Sequence, residues 1–375
     1  MDLRTTLAHR LRNARERSMI TQQQVADRLG VARSAVSEME TGKREVSAVE
    51  AAAMAGLYAE PLARLLAPSG AAVESLMLRS AVSAGDAAGL RRFLERCQTY
   101  RELEERLGEA RFPELRPVAG ILELPEEAHA LADEERRRLD LGATPGRHFL
   151  NVLEEDVGIK IVGLELGDDL SGASIQSPEF GPAILVNRRH SPGRQVFTLA
   201  HEYFHLLTSD RVRGSAGPRP VHIHEARQPD EPRDPADDLA DHFAGSLLMP
   251  AEPFLHAVRR LRDPDGQVNT LDLVGVARYF GVSVQAVFVR LSVLGHVTRE
   301  AARAAYGDSA LQDEILRVGG EWIRTASRFR RLAVKAHVAG HSTRERLAEL
   351  LDVATERVDD EVRRYGGGEG RLRVG

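Results

Sequence analysis

Two histidines four residues apart, with a glutamate beside the first, stand inside the run Phe197-Thr-Leu-Ala-His-Glu-Tyr-Phe-His-Leu-Leu207. On a helix, positions i and i+4 lie on one face, a turn apart. That spacing lets a nitrogen of His201 and a nitrogen of His205 reach one metal ion. It also sets Glu202 where it can take a proton from a water that the metal acidifies. Such a short pattern also arises by chance, and the plain alternative is a pair of core histidines paired with Glu202. The flanks decide between the two. Val196, Phe197, Leu199, Ala200, Tyr203, Phe204, Leu206 and Leu207 make a helix buried on most sides. Ionisable groups set in such a helix need partners, because unpaired buried charge is costly. The run reads as the metal helix of a zinc peptidase, with Tyr203 a packing residue.

A catalytic zinc takes three protein ligands and keeps one position open. A glycine and third histidine continuing the motif would fall at Thr208 and Arg211, so the third ligand comes from elsewhere. The best segment is Asp237-Asp-Leu-Ala-Asp-His-Phe-Ala-Gly-Ser-Leu-Leu-Met-Pro250, where Phe243, Leu247 and Leu248 give a helical apolar stripe. Asp237 and Asp241 share a face, so Asp237 can bind the metal while Asp241 holds a ligand imidazole by its second nitrogen. Asp238, about 100° further round the helix, is an alternative ligand. So are His222, His224 and Glu225, which sit in a proline-rich stretch. Helix N-terminal capping also explains Asp237 and Asp238, and it does not exclude ligation. A His/His/carboxylate set accepts Zn2+ and also Mn2+.

The runs Phe197–Leu207 and Ala240–Pro250 resemble those of the ImmA/IrrE family of bacterial zinc metallopeptidases. Asn187 at the end of a strand and Val282-Ser-Val-Gln-Ala-Val-Phe-Val-Arg-Leu291 are similar to that family as well. The resemblance covers about residues 126–296 and implies an α+β, zincin-like peptidase domain with a small sheet. It implies a glutamate ligand at the position of Asp237, where aspartate shortens the reach by one methylene and remains a competent ligand. It further implies substrates among helix-turn-helix repressors, cut to release stress, defence or mobile-element genes.

These side chains need a scaffold. Gly158–Leu166 and Pro182–Asn187 read as strands, Gly172–Gly181 as a third strand or hairpin, and a helix from about 126 ends near Leu141-Gly142. Ser209–Pro235 shows no helical or strand period and reads as a mobile loop. Helices resume at Asp237 and run to about Tyr365, ahead of a glycine-rich tail that reads as frayed. In the last stretch Trp322 reads as a buried anchor. Ser342–Val353 has a helix-turn-helix rhythm, but its acidic residues argue for packing or dimerisation.

At the other end, Thr21-Gln-Gln-Gln-Val-Ala-Asp-Arg-Leu-Gly-Val-Ala-Arg-Ser-Ala-Val-Ser-Glu-Met-Glu40 reads as helix, turn, helix. Thr21 and Gln24 form a capping box, Gly30 makes the turn, and Val25, Leu29, Val36 and Met39 form the apolar face. With Leu7–Glu16 before it and Glu40–Glu45 after it, the segment resembles the phage-repressor (XRE) class over about residues 3–66. The resemblance places the second helix in the major groove, with Arg33, Ser34 and Glu38 facing bases and Gln22, Ser37, Lys43 and Arg44 near phosphates or bases. Arg10, Arg12, Arg15 and Arg17 add local positive charge. A helical protein-binding module is the alternative.

The whole chain sets outer limits. Its 375 residues suit two or three domains. A net charge of −5 means that any basic DNA surface is local. The lone cysteine, Cys97, excludes an intramolecular disulfide and a cysteine zinc site. No signal-peptide or membrane-spanning run is present, so a cytoplasmic protein is expected. The fold expected is multidomain and mainly α: residues 1–68 a helix-turn-helix domain, 69–125 a helical linker, 126–296 the peptidase domain, and 297–375 a helical C-terminal region. The function expected is a DNA-binding transcriptional regulator with a zinc endopeptidase that cleaves a helix-turn-helix repressor. Its partners are a double-stranded operator, an XRE-type repressor and, in a homodimer, a second copy. The alternatives are a regulator whose peptidase-like domain is an inactive sensor or scaffold, and an antitoxin-like binding partner.

Overall fold

The structure is a computed structural model. It describes residues 7–8, 10–12, 14–15, 18, 20–58, 62, 65, 84–111, 115, 118, 120–168, 170–177, 179–208, 212–213, 221–225, 234–307, 311 and 327–365. Trp322, Arg17 and the glycine-rich tail lie outside them. Contacts divide the chain into two compact units, one of residues 1–79 with 177–179 and one of the remainder.

In the first unit, α1 (Gln22–Leu29) begins with the reciprocal cap expected of its sequence. Thr21 Oγ1 accepts from the Gln24 N–H at 3.2 Å, and the Gln24 side chain accepts from the Thr21 N–H at 2.8 Å. The chain leaves α1 through Gly30 at φ +66°, a left-handed conformation that carries no strain in glycine. Next come α2 (Arg33–Glu40) and α3 (Ala48–Leu57). Val25, Ala26, Val36, Met39 and Met54 join Leu11, Tyr58 and Leu65 in one small core.

The second unit carries a four-stranded mixed sheet of β1 (Lys160–Leu164), β2 (Leu170–Ser177), β3 (Gly181–Asn187) and β4 (Val221–Glu225), in the order β1-β3-β2-β4. β1 and β3 are parallel, from Lys160 opposite Ala183 to Leu164 opposite Asn187. β3 is buried along its whole length, which is why Pro182–Val186 is continuously apolar rather than alternating. β4 is the edge strand, antiparallel to β2, with Ser174 opposite His222 and Gly172 opposite His224. This corrects the loop reading of residues 209–235. Five of those residues form a strand, because Val221-His-Ile-His224 alternates apolar and polar side chains at the strand period of two.

α4 (Ala84–Arg106) and α5 (Pro125–Arg138) precede the sheet. α6 (Pro192–Thr208) lies against β3, α7 (Pro235–Leu248) packs on α6, and α5 packs on α7. Gly172 allows the close approach of α6 to the sheet: a Cβ there would meet Thr198 Cγ2 at 2.5 Å and the Leu185 carbonyl at 2.8 Å. Buried Asn187 ties down the chain between β1 and β2, donating to the Gly167 and Leu170 carbonyls and accepting from the Leu166 and Arg189 N–H groups. α8 (Ala251–Arg259), α9 (Leu273–Phe280), α10 (Val284–Val293) and α11 (Arg299–Tyr306) complete the core around Phe204, Phe243, Phe254 and Phe280. Buried Arg290 fastens α10 to α7 through the Met249 carbonyl and Ser246 Oγ, both at 3.0 Å.

α12 (Ser327–Val338), α13 (Arg344–Leu351) and α14 (Val358–Tyr365) build a second core with α4, centred on Tyr100, Leu103, Phe329, Leu332, Leu351 and Val358. No single helix among the described residues is long and apolar enough to cross a membrane.

Candidate metal centre and nucleic-acid interface

α6 presents His201, Glu202 and His205 toward α7 and the edge of the sheet. The helix is held in place by its apolar faces and by Tyr203, whose hydroxyl donates to Glu135 and accepts from Arg138 on α5. Tyr203 therefore serves packing, as its sequence context suggests. α7 begins at the Asp234 cap, so Asp237 and Asp241 fall on successive turns facing α6.

The Nε2 atoms of His201 and His205 lie 3.1 Å apart. Asp237 Oδ1 is 3.3 Å from His205 Nε2 and 3.7 Å from His201 Nε2. A tetrahedral zinc with ligands at ~2.0–2.1 Å separates its donor atoms by about 3.3–3.4 Å, and the three edges bracket that value. On the other side of His201, Nδ1 is 3.0 Å from Asp241 Oδ1, so its second nitrogen meets a carboxylate as ligand histidines do. Asp238 lies outside the converging group.

The sequence offers His222 only as an alternative ligand. In the structure β4 brings it into the same cluster, where the ligand atoms of His201, His205, His222 and Asp237 lie within 4.8 Å of one another. His222 Nε2 is 2.9 Å from Asp237 Oδ1, and its Nδ1 is 3.1 Å from Glu202 Oε2. Its ring stacks on His205 with centroids 3.4 Å apart. Two residues along the strand and on the same face, His224 stacks on His201 at 4.0 Å. The alternation of Val221-His-Ile-His224 is the signal that would have found both.

Glu202 is fully buried, and its Oε1 and His224 Nδ1 have no hydrogen-bond partner among the described residues. Burial opposes the charge of Glu202, but His222, His205 and His201 outweigh it and hold the carboxyl at about 2. Burial likewise opposes ionisation of Asp237, while hydrogen bonds from three histidines hold it well below the usual carboxylate range. His201 is raised to about 10, since its bonds to Asp237 and Asp241 exceed the cost of burial. His222 is raised by Glu202 and Asp237 against the same cost. Burial and a neighbouring imidazole lower His205 and His224 to about 3 each. Glu202 and Asp237 are thus held toward their ionised forms, and His201 and His222 toward their protonated forms. A divalent cation supplies the same positive charge at the same place on displacing those protons. Donor spacing and charge balance both fit a metal.

In the N-terminal unit, Arg33, Ser34 and Glu38 are exposed and Ser37 is half-buried. Together they occupy one face of α2, away from the buried Val36 and Met39. Lys43 is exposed just beyond the helix. Arg44 pairs with Glu50 at 2.8 Å. Gln22 donates to Glu40 at 3.0 Å, beside the buried Arg15–Glu40 pair.

Comparison with known proteins agrees with both halves. Residues 154–292 match the family described as the IrrE N-terminal-like domain, and residues 11–65 match the helix-turn-helix family. A protein named propionyl-CoA carboxylase regulator, from Cereibacter sphaeroides, is 26% identical over 312 residues, covering 76% of this chain and 64% of that protein. The chain thus spans under two thirds of that relative's length. The apo form of ComR from S. Thermophilus aligns over 84% of this chain and 98% of its own, at 12% identity and a TM-score of 0.16. At that TM-score it carries no structural argument.

Proposed function

We propose that this chain, which joins a helix-turn-helix DNA-binding domain to an IrrE-like domain of the M78 peptidase family, is an intracellular transcriptional regulator with a metal-dependent endopeptidase centre. The observation that carries the reading is the convergence of His201 Nε2, His205 Nε2 and Asp237 Oδ1 beside the ionised, buried Glu202. His201, His205 and Asp237 would hold Zn2+ or Mn2+, and the bound ion supplies Lewis acidity at a peptide carbonyl. Asp241 fixes the His201 ring so that Nε2 points inward. Glu202 is the general base: held deprotonated near neutral pH, it accepts a proton from the attacking water and returns it to the leaving amine. The surrounding core of Phe204, Leu199 and Ala200 excludes bulk water. On α2, Arg33, Ser34, Ser37 and Glu38 read bases, and Lys43 approaches phosphate. The proposed substrate is a helix-turn-helix repressor, and coupling the two domains would bring the cleaving centre to repressor-occupied operators.

The test pairs metal analysis with cleavage of any helix-turn-helix repressor encoded beside this gene. Wild type should hold one equivalent of metal and cut. Glu202→Gln should keep the metal and lose at least ~100-fold in cleavage rate. Equal cleavage by the variant sinks the mechanism. A second reading, a regulator whose centre binds metal without cleaving, is favoured by the contacts of His222 with both Glu202 and Asp237. Full metal content with no cleavage by wild type decides for it.

A further inference from the structure

We infer that His222 is a fourth protein ligand, so that the resting centre is a closed His201/His205/His222/Asp237 site in which β4 fills the position a catalytic metal keeps open. The inference rests on the metal-site reading above and not on cleavage.

Four observations carry it. First, His222 offers the metal the atom type that the helix histidines offer: its Nε2 lies 2.9 Å from the same Asp237 oxygen on which His201 and His205 converge. Second, its Nδ1 is 3.1 Å from Glu202 Oε2. This is the carboxylate–histidine arrangement that fixes a ligand's tautomer, and it mirrors Asp241 on His201 Nδ1. Glu202 is then committed to orienting a ligand. Third, the side chain is set by the sheet: Ser174 lies opposite it, and the ring stacks on His205. Fourth, the ligand atoms of all four residues lie within 4.8 Å of one another, and three imidazoles with one carboxylate make four protein ligands, the number of closed sites, whereas hydrolytic sites keep three. Cleavage then requires bound substrate to displace His222, and until it does the strand restrains the base as well as the metal.

The test uses the full chain loaded with one equivalent of Zn2+. X-ray absorption at the zinc edge should count three imidazoles in wild type and two in His222→Ala. Acetohydroxamate, a small chelating probe, should alter the spectrum of the variant and leave wild type unchanged. Competition with a chromophoric chelator should show zinc affinity in the variant reduced by at least the ~10–100-fold that follows loss of even a ligand's hydrogen-bond partner. Two imidazoles in wild type, or equal hydroxamate binding by both proteins, overturns the role of His222 while leaving the metal centre standing. If His201→Ala binds zinc as tightly as wild type, the metal-site reading itself fails. The wild-type arms need no variant to fold.

Discussion

Asp241 shows how a side chain that touches no metal would set the strength of the centre. Its Oδ1 is 3.0 Å from His201 Nδ1, so with a metal bound it would select the tautomer that turns Nε2 inward and would make that nitrogen more basic. Asp241→Ala should weaken zinc binding by ~10–100-fold. Because Asp241 is only partly buried, the melting temperature of chelator-treated protein should barely move. An unchanged zinc affinity would remove Asp241 from the site. This part of the centre is readable in the sequence because helical geometry is rigid. One turn separates His201 from His205, another separates Asp237 from Asp241, and each pair must share a face. His222 is hard to read for the opposite reason. It enters from a strand whose position depends on pairing with β2, and long-range pairing leaves no local period beyond a few alternating residues. The bond from Gln22 to Glu40, 18 residues away in sequence, leaves no local period either.

Among the elements, the approach of α6 to the sheet decides whether the histidines and the edge strand meet at all. Gly172 sits at that contact, with Thr198, Leu185 and the Glu202 side chain around the place a Cβ would occupy. Neither the Leu185 carbonyl nor the helix can move without disturbing the ladder or the core. Gly172→Ala should therefore cost ~1–3 kcal/mol in urea unfolding, the range for overpacking. It should also loosen the centre, because α6 and β4 are both displaced. A stability within 0.5 kcal/mol of wild type, roughly that of a neutral surface change, would mean the contact is softer than drawn. The strands at 160–164 and 181–187 and the helices at 192–208 and 235–248 follow from apolar runs, caps and prolines in the sequence. β4 does not, since prolines and charges on both sides of Val221–Glu225 hide so short an alternation. In the N-terminal unit the agreement is closer: Thr21, Gln24 and Gly30 make the turn with local interactions alone.

At the scale of the molecule, the second unit is drawn together by a buried charge network that composition cannot reveal. Glu104 on α4 takes Lys160 of β1 at 3.0 Å and Arg328 of α12, all three nearly without solvent exposure. Beside them Glu154 accepts from the Tyr100 hydroxyl and from the Arg328 N–H, each at 3.4 Å. The helix at 84–106, read from sequence as part of a linker, and the helices after 327 thus share a core and a set of ion pairs. Pairs separated by more than 50 residues in sequence leave no periodic trace, which is why the reading of residues 297–375 goes no further than packing or dimerisation. The network has a consequence in pH. Burial raises the Glu154 carboxyl to about 8, against the opposing Arg328 N–H. The folded chain therefore binds a proton there that the unfolded chain, near ~4.3, releases. Between these values the folded state holds more protons, so this group makes stability fall as pH rises, and the loss levels off above about 8. Glu154→Gln keeps the shape and one of the two acceptor oxygens, as the protonated acid does, but cannot ionise. Urea midpoints of variant and wild type should lie closest near pH 5 and diverge toward pH 8, the variant becoming more stable by up to a few kcal/mol. Contributions from the histidine cluster are common to both proteins and cancel in the difference. Parallel profiles from pH 5 to 8 would show that Glu154 is ionised throughout, and that the cations around Glu104 hold its charge as well.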